Sequence, residues 1–218
     1  LAVGENESLI DGIVDYRLKE SGCSSVQSLA QKGLSSGAGK GASEWYAIGL
    51  SAYYKNLDLS GYSSALSSYL SSNKISSATS RQRCALSLIA CGKGGDSFVS
   101  STAADSVGSL GIMSYIFGLQ LASNGAPLSV SKDGIISEIL SLENADGGWS
   151  VSGSNSDIDV TAMALAALAP YKNGSAADAV ERGLSFLSSK QLESGGFMSY
   201  GKENAESSAQ VIVALTAL

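Results

Sequence analysis

The chain, 218 residues long, predicts an all-α fold built from helical hairpins, on three observations. The C-terminal third repeats itself: Trp149 to Phe197 is 48 positions and Thr161 to Ser208 is 47, so two blocks differ by one residue in a loop. The first helix of such a block has one apolar face, with Val180, Leu184 and Leu187 at i, i+4 and i+7 and Asp178, Glu181, Arg182 and Lys190 on other faces. The second helix, around Ala162–Ala169, is small and apolar all round, as a helix covered on several sides requires. One amphipathic and one wholly apolar helix per repeat implies an outer layer wrapped around an inner one.

Weaker copies extend this pattern upstream. Outer helices are expected at 6–20, 61–72, 98–107, 131–143 and 175–191, and inner helices at 43–55, 80–92, 110–123, 158–170 and 205–218. That makes five hairpins. The glycine-rich stretches 35–41 and 92–96 are expected as loops between them. Abundant alanine with only two prolines, Pro127 and Pro170, favours helices, while glycine and serine supply caps and turns. No strand-like alternation competes over more than a few residues.

Composition removes several function classes. The chain has no histidine, which excludes Ser-His and Cys-His nucleophile pairs and the commonest zinc ligand. Fourteen Lys+Arg stand against 20 Asp+Glu, for a net charge of −6, with no basic block; this argues against nucleic acid and anionic membrane surfaces. The longest apolar runs, near Ala162–Pro170 and Val211–Leu218, are too short to span a bilayer. Cys23, Cys84 and Cys91 form no CxxC and no even set, and are expected as small apolar residues. Without an initiating Met or signal peptide, the sequence reads as an excised or processed segment.

The pattern Arg182-Gly183-x-x-Phe186-Leu187-x-x-x-Gln191-x-x-x-Gly195-x-Phe197 resembles the QW repeat of terpenoid cyclases, with Phe replacing the terminal Trp. Protein prenyltransferase β subunits carry a looser form. The Asp146–Trp149 copy keeps the glycine and the Trp, with Glu143 where the Gln would stand. The resemblance implies an α/α toroid of concentric inner and outer helices, occupying residues 1–218 as a single domain and an incomplete ring. The chain also resembles toroid modules of bacterial secreted or surface proteins and the first domain of the cobalamin carriers transcobalamin and intrinsic factor. Those likenesses imply an extracellular or surface location and flanking β or wall-anchoring domains. Independently of any name, a long polar Gln at an outer-helix end can bond orphan backbone groups of a neighbouring helix end. A loop aromatic such as Trp149 or Phe197 can then stack on that contact.

Chemistry concentrates at Asp157-Ile158-Asp159-Val160-Thr161-Ala162. Cyclases of the resembled family carry Asp-x-Asp-Asp followed by Thr-Ala at an inner-helix start, where the middle acid protonates an alkene or epoxide; here Val160 replaces the last acid. Either Asp can equally cap the helix, accepting orphan N–H groups, and Asn204 and Glu206 take the matching places in the next repeat. The cap is the favoured expectation. Asp157, Asp159 and Glu206 could also supply a carboxylate pair for glycoside hydrolysis. Arg81 and Arg83 could hold an anion, and Tyr200 or Tyr46 with Arg81 could form a lyase-like set. Gly92-Lys93-Gly94-Gly95 lacks the spacing of a phosphate loop. Trp45, Tyr46, Tyr53, Tyr54, Tyr115 and Phe117 are expected chiefly as core, with a ligand cavity as the other possibility.

The leading expectation is therefore a non-catalytic module that binds a small ligand, glycan or protein, using Trp149, Asp157, Asp159, Tyr200 and Glu206, with no metal and no cofactor. A cyclase-like enzyme and a corrinoid-binding domain are the alternatives. Fold alone does not choose among them.

Overall fold

The computed structural model describes residues 3–218, with side-chain surroundings from Leu9 onward. Its helices match the expected all-α fold, each of the ten predicted segments appearing with its ends moved by less than a turn. The chain gathers into two compact units, one up to Ser100 and one from Ser101.

The first unit holds α1 (Val3–Ser21), α2 (Val26–Ser28), α3 (Ala42–Tyr53), α4 (Ser60–Ser72), α5 (Ala78–Ala90) and the start of α6 (Ser97–Asp105). Helix α2 opens on a Ser25 cap and runs into a π-helical turn at Leu29–Gly33 and a 3-10 turn at Ser35–Gly37. Neither was expected, since 35–41 reads as loop. The wider turn closes through Leu34 N–H donating to the Leu29 carbonyl, 3.0 Å, and brings Leu29, Ala30 and Leu34 wholly into the core. Helix α4 packs on this turn and α3 packs on α5, with Tyr62, Leu66, Ala85 and Leu88 buried among them.

The second unit adds α7 (Gly111–Ser123), α8 (Lys132–Ser141), α9 (Ile158–Leu168), α10 (Ala177–Lys190) and α11 (Ala205–Ala217). A two-stranded hairpin of β1 (Phe197–Ser199) and β2 (Lys202–Asn204) precedes α11. Helix α9 packs against α7, α10 and α11, and α8 packs on α7. As its apolar circumference requires, α9 buries most of its length, including Ala162, Ala164, Leu165, Ala167 and Leu168. Helix α10 buries one stripe only, of Ala179, Val180, Gly183, Phe186 and Leu187.

The sequence repeat is a structural repeat, bond for bond. Asn144 N–H donates to the Gly148 carbonyl at 2.8 Å, and Leu192 N–H to that of Gly196 at 2.9 Å. Gly147 N–H donates to Asn144 O and Gly195 N–H to Leu192 O, and both glycines sit at φ +84°. Only a residue without Cβ adopts that conformation freely. Trp149 N–H then donates to Thr161 Oγ1 at 2.9 Å, and Phe197 N–H to Ser208 Oγ at 3.1 Å. The aromatic pairs with the following cap residue across an antiparallel bridge, Trp149 with Asp157 and Phe197 with Asn204. The one-residue offset falls between aromatic and cap, in the loop.

What ties the repeats together differs from expectation. Gln191 does not reach a neighbouring helix end: its side-chain amide donates to the Gly195 carbonyl at 3.0 Å, closing its own exposed loop. Trp149 and Phe197 do not stack on that contact but lie in the core. The Trp149 indole N–H donates to the Ile139 carbonyl of α8 at 2.7 Å, and its ring lies under Gly183 of α10. A Cβ on Gly183 would stand 3.1 Å from that ring and 2.8 Å from Leu165, so the Arg-Gly pair of the repeat allows α10 to settle onto α9. Its partner Arg182 reaches back to Glu143, the residue standing where the Gln would be.

Candidate functional site

The acidic stretch is a helix cap. Asp157 holds extended backbone (φ −106°, ψ 139°) immediately before α9, and its Oδ1 accepts the Val160 N–H at 2.9 Å. One repeat later Asn204 Oδ1 accepts the Ser207 N–H at 2.9 Å. A side-chain amide performs the same task as the carboxylate, so the task needs an acceptor and no acidity. Asp159 lies in the first turn of α9, half-buried, with its Oδ1 buried and without a hydrogen-bond partner. Glu206 is exposed in the first turn of α11, and Tyr200 is fully exposed at the tip of the β hairpin at φ 50°. Trp149, expected among the ligand-binding residues, is completely buried and has no surface to offer a ligand. These side chains therefore belong to separate helix starts, a core and a hairpin tip.

The first unit contains a buried polar hub that sequence inspection missed. Glu44, at the third position of α3, is fully buried, and its carboxylate accepts the Gly39 N–H at 2.6 Å, the Gly41 N–H at 2.7 Å and the Tyr62 hydroxyl at 3.0 Å. Arg83 Nε approaches it to 3.5 Å, so the anion held by that arginine is the chain's own. Tyr62 also meets Ser87 Oγ at 3.2 Å, and burial pushes its phenol above the ordinary tyrosine range. Every partner comes from the protein, and the hub fixes the 38–41 loop and α3 against α4 and α5.

An open groove lies between α1 and α3, with a volume of about 400 Å³. Helix α1 supplies Ile10, Ile13 and Val14, one helical stripe. Helix α3 supplies Trp45, Tyr46, Gly49 and Tyr53, and the chain turns at Tyr54 (φ −100°, ψ 89°) to bring in a fourth ring. Because Tyr54 leaves the helix, the adjacent rings of Tyr53 and Tyr54 meet edge to face, with centroids 4.8 Å apart and planes at 90°. Trp45 is 47% exposed and Tyr53 38%, so the expectation of core packing fails for these two and the cavity alternative stands. Tyr115 and Phe117 do go to core positions in the second unit.

No protein-family profile, curated protein or solved structure matches the chain.

Among the described residues no cluster of three or more His, Cys, Asp or Glu side chains could hold a metal, and no helix is long and apolar enough to cross a membrane. All three cysteines are free thiols. Cys84 is fully buried, with its thiol pushed up to about 12 by desolvation, while Cys23 and Cys91 are half-buried. Apolar burial of this kind makes a thiol inert.

Proposed function

We propose that the chain is a non-catalytic α/α-toroid module of a secreted or cell-surface bacterial protein, binding a ligand through its first unit. The observation carrying this reading is the groove between α1 and α3: a concave, aromatic-lined and solvent-open surface of about 400 Å³, within the size range of small-molecule sites. Support against catalysis comes from the acidic stretch, where the carboxylate of Asp157 caps a helix and is replaced by an amide in the next repeat. The bond-for-bond repeat and the close approach at Gly183 support the toroid, since each hairpin builds the surface on which the next one packs.

The test is binding of the neutral apolar dye N-phenyl-1-naphthylamine to the whole chain. Dye emission should rise saturably and be lost in Gly49→Phe, because a side chain at Gly49 meets nothing within 4 Å and would fill the groove without disturbing the core. Equal dye binding by a Gly49→Phe variant of unchanged circular dichroism would refute the assignment.

A cyclase-like reading keeps one supporting observation, the buried and unpartnered Oδ1 of Asp159. Its test is incubation with squalene and oligoprenyl substrates, comparing wild type with Asp159→Asn. A cyclised product that disappears in the variant would establish that reading in place of the first.

A further inference from the structure

We propose that the groove between α1 and α3 takes an organic cation of the quaternary-ammonium class on an apolar body. This rests on the binding role assigned to the groove above. Among the described residues, the side-chain polar atoms lining it are the tyrosine hydroxyls and the Trp45 indole N–H. A primary ammonium or a carboxylate entering such a place would give up strong hydration for few partners. A cation wrapped in methyl groups gives up little, and it gains contact with an aromatic lining in which Trp45 and Tyr53 are partly exposed.

The fold already makes one contact of this type. The Arg17 guanidinium carbon lies 5.1 Å from the centroid of the Tyr46 ring, so one of the groove's aromatics already carries a cation. The Trp45, Tyr53 and Tyr54 rings line the same groove, the last two packed edge to face.

Charge points the same way. Asp11 and Asp15 lie one turn apart on α1, flanking the Ile10–Val14 stripe. After desolvation, their repulsion is what holds the Tyr54 phenol above its ordinary value, which puts both carboxylates within electrostatic reach of that ring. Negative charge beside an aromatic, apolar lining favours a positive guest over a neutral one of equal shape.

Two probes of equal shape separate the possibilities: choline, and 3,3-dimethyl-1-butanol, in which carbon replaces the charged nitrogen. Trp45 serves as reporter, because the other tryptophan, Trp149, is completely buried. Choline should shift the Trp45 emission saturably and bind at least about threefold more tightly than the alcohol. The double substitution Asp11→Asn, Asp15→Asn should shrink that preference while leaving the circular dichroism unchanged. Equal affinity for both probes would overturn the cation assignment and leave a neutral apolar site. Dye binding without any response to choline would do the same. Loss of dye binding as well would remove the groove's binding role together with this inference.

Discussion

Glu143 and Arg182 meet as a two-pronged pair, with Nε 2.5 Å from Oε1 and Nη2 2.7 Å from Oε2, across 39 positions of sequence. The pair joins the chain just beyond α8 to α10. The Glu143 side chain is only 10% exposed while Arg182 is 55% exposed, so the acid is held down and the base lies over it. The carboxylate in turn raises the Arg182 guanidinium above its ordinary value. Replacing Glu143 by Gln should lower the urea midpoint at low salt, and the deficit should narrow in 1 M NaCl as screening weakens the wild-type pair. A deficit indifferent to salt would show that shape, not charge, is what Glu143 contributes.

The paired glycines offer an internal control. Gly147 and Gly195 share φ +84°, but a Cβ at Gly147 would stand 3.0 Å from the Arg182 backbone carbonyl, whereas at Gly195 it would meet nothing within 4 Å. Gly195→Ala should cost about 1–2 kcal/mol for the left-handed backbone alone. Gly147→Ala should cost at least about 1 kcal/mol more, because α10 must move away. Equal losses in chemical denaturation would mean that the repeats are not held at that point.

At the start of α9, Asp157→Asn should leave stability within about 0.5 kcal/mol of wild type, and Asp157→Ala should cost about 1 kcal/mol. Asn204 already shows that an amide serves. An Asn variant as unstable as the Ala variant would assign the carboxylate a charge-dependent role that the cap geometry does not require.

Acid should weaken the first unit through Asp58. Its carboxylate is held below the ordinary range, first by the Ser60 backbone N–H at 2.8 Å and then by the side chains of Ser60 and Gln31. A group depressed on folding contributes fully above its unfolded value of about 3.9, and the contribution fades as pH falls through the lower folded value. The urea midpoint should therefore drop between pH 5 and the acid limit, and Asp58→Ala should drop less steeply over the same window. Parallel curves for the two proteins would dismiss Asp58 as a contributor.

Gln191 calls for the opposite expectation to the one its motif suggested. Its bond to Gly195 is exposed and local, so Gln191→Ala should move the denaturation midpoint little, by under about 0.5 kcal/mol. A loss of 1 kcal/mol or more would restore a tie between repeats.

Helix positions were legible because they are written locally, in the apolar period and in caps such as Asp157 and Asn204. The cap itself was legible for the same reason: its partner lies three residues away. The Glu44 hub was not. An isolated Glu early in a helix has the pattern of a capping box, and nothing nearby signals that Tyr62 and Arg83 converge on it from two other helices. The groove was legible only as the second reading of its aromatics, for a related reason. Apolar and aromatic residues on facing helices read as mutual core, and only the spacing of α1 from α3 reveals that Trp45 and Tyr53 stay open. The π-helical turn was invisible because its sequence, Leu29–Gly33, carries no signal for a bond reaching five residues back.

The placement of the two indoles gives the unlabelled protein a built-in pair of gauges. Trp45, open to solvent, belongs to the first unit, and Trp149, sealed beneath Gly183, to the second. Iodide quenching addresses one and leaves the other bright, so each half of the chain can be watched melting in a single cuvette. Superimposable transitions would make the 218 residues one cooperative body, and separated ones would rank the halves by strength without a single mutation.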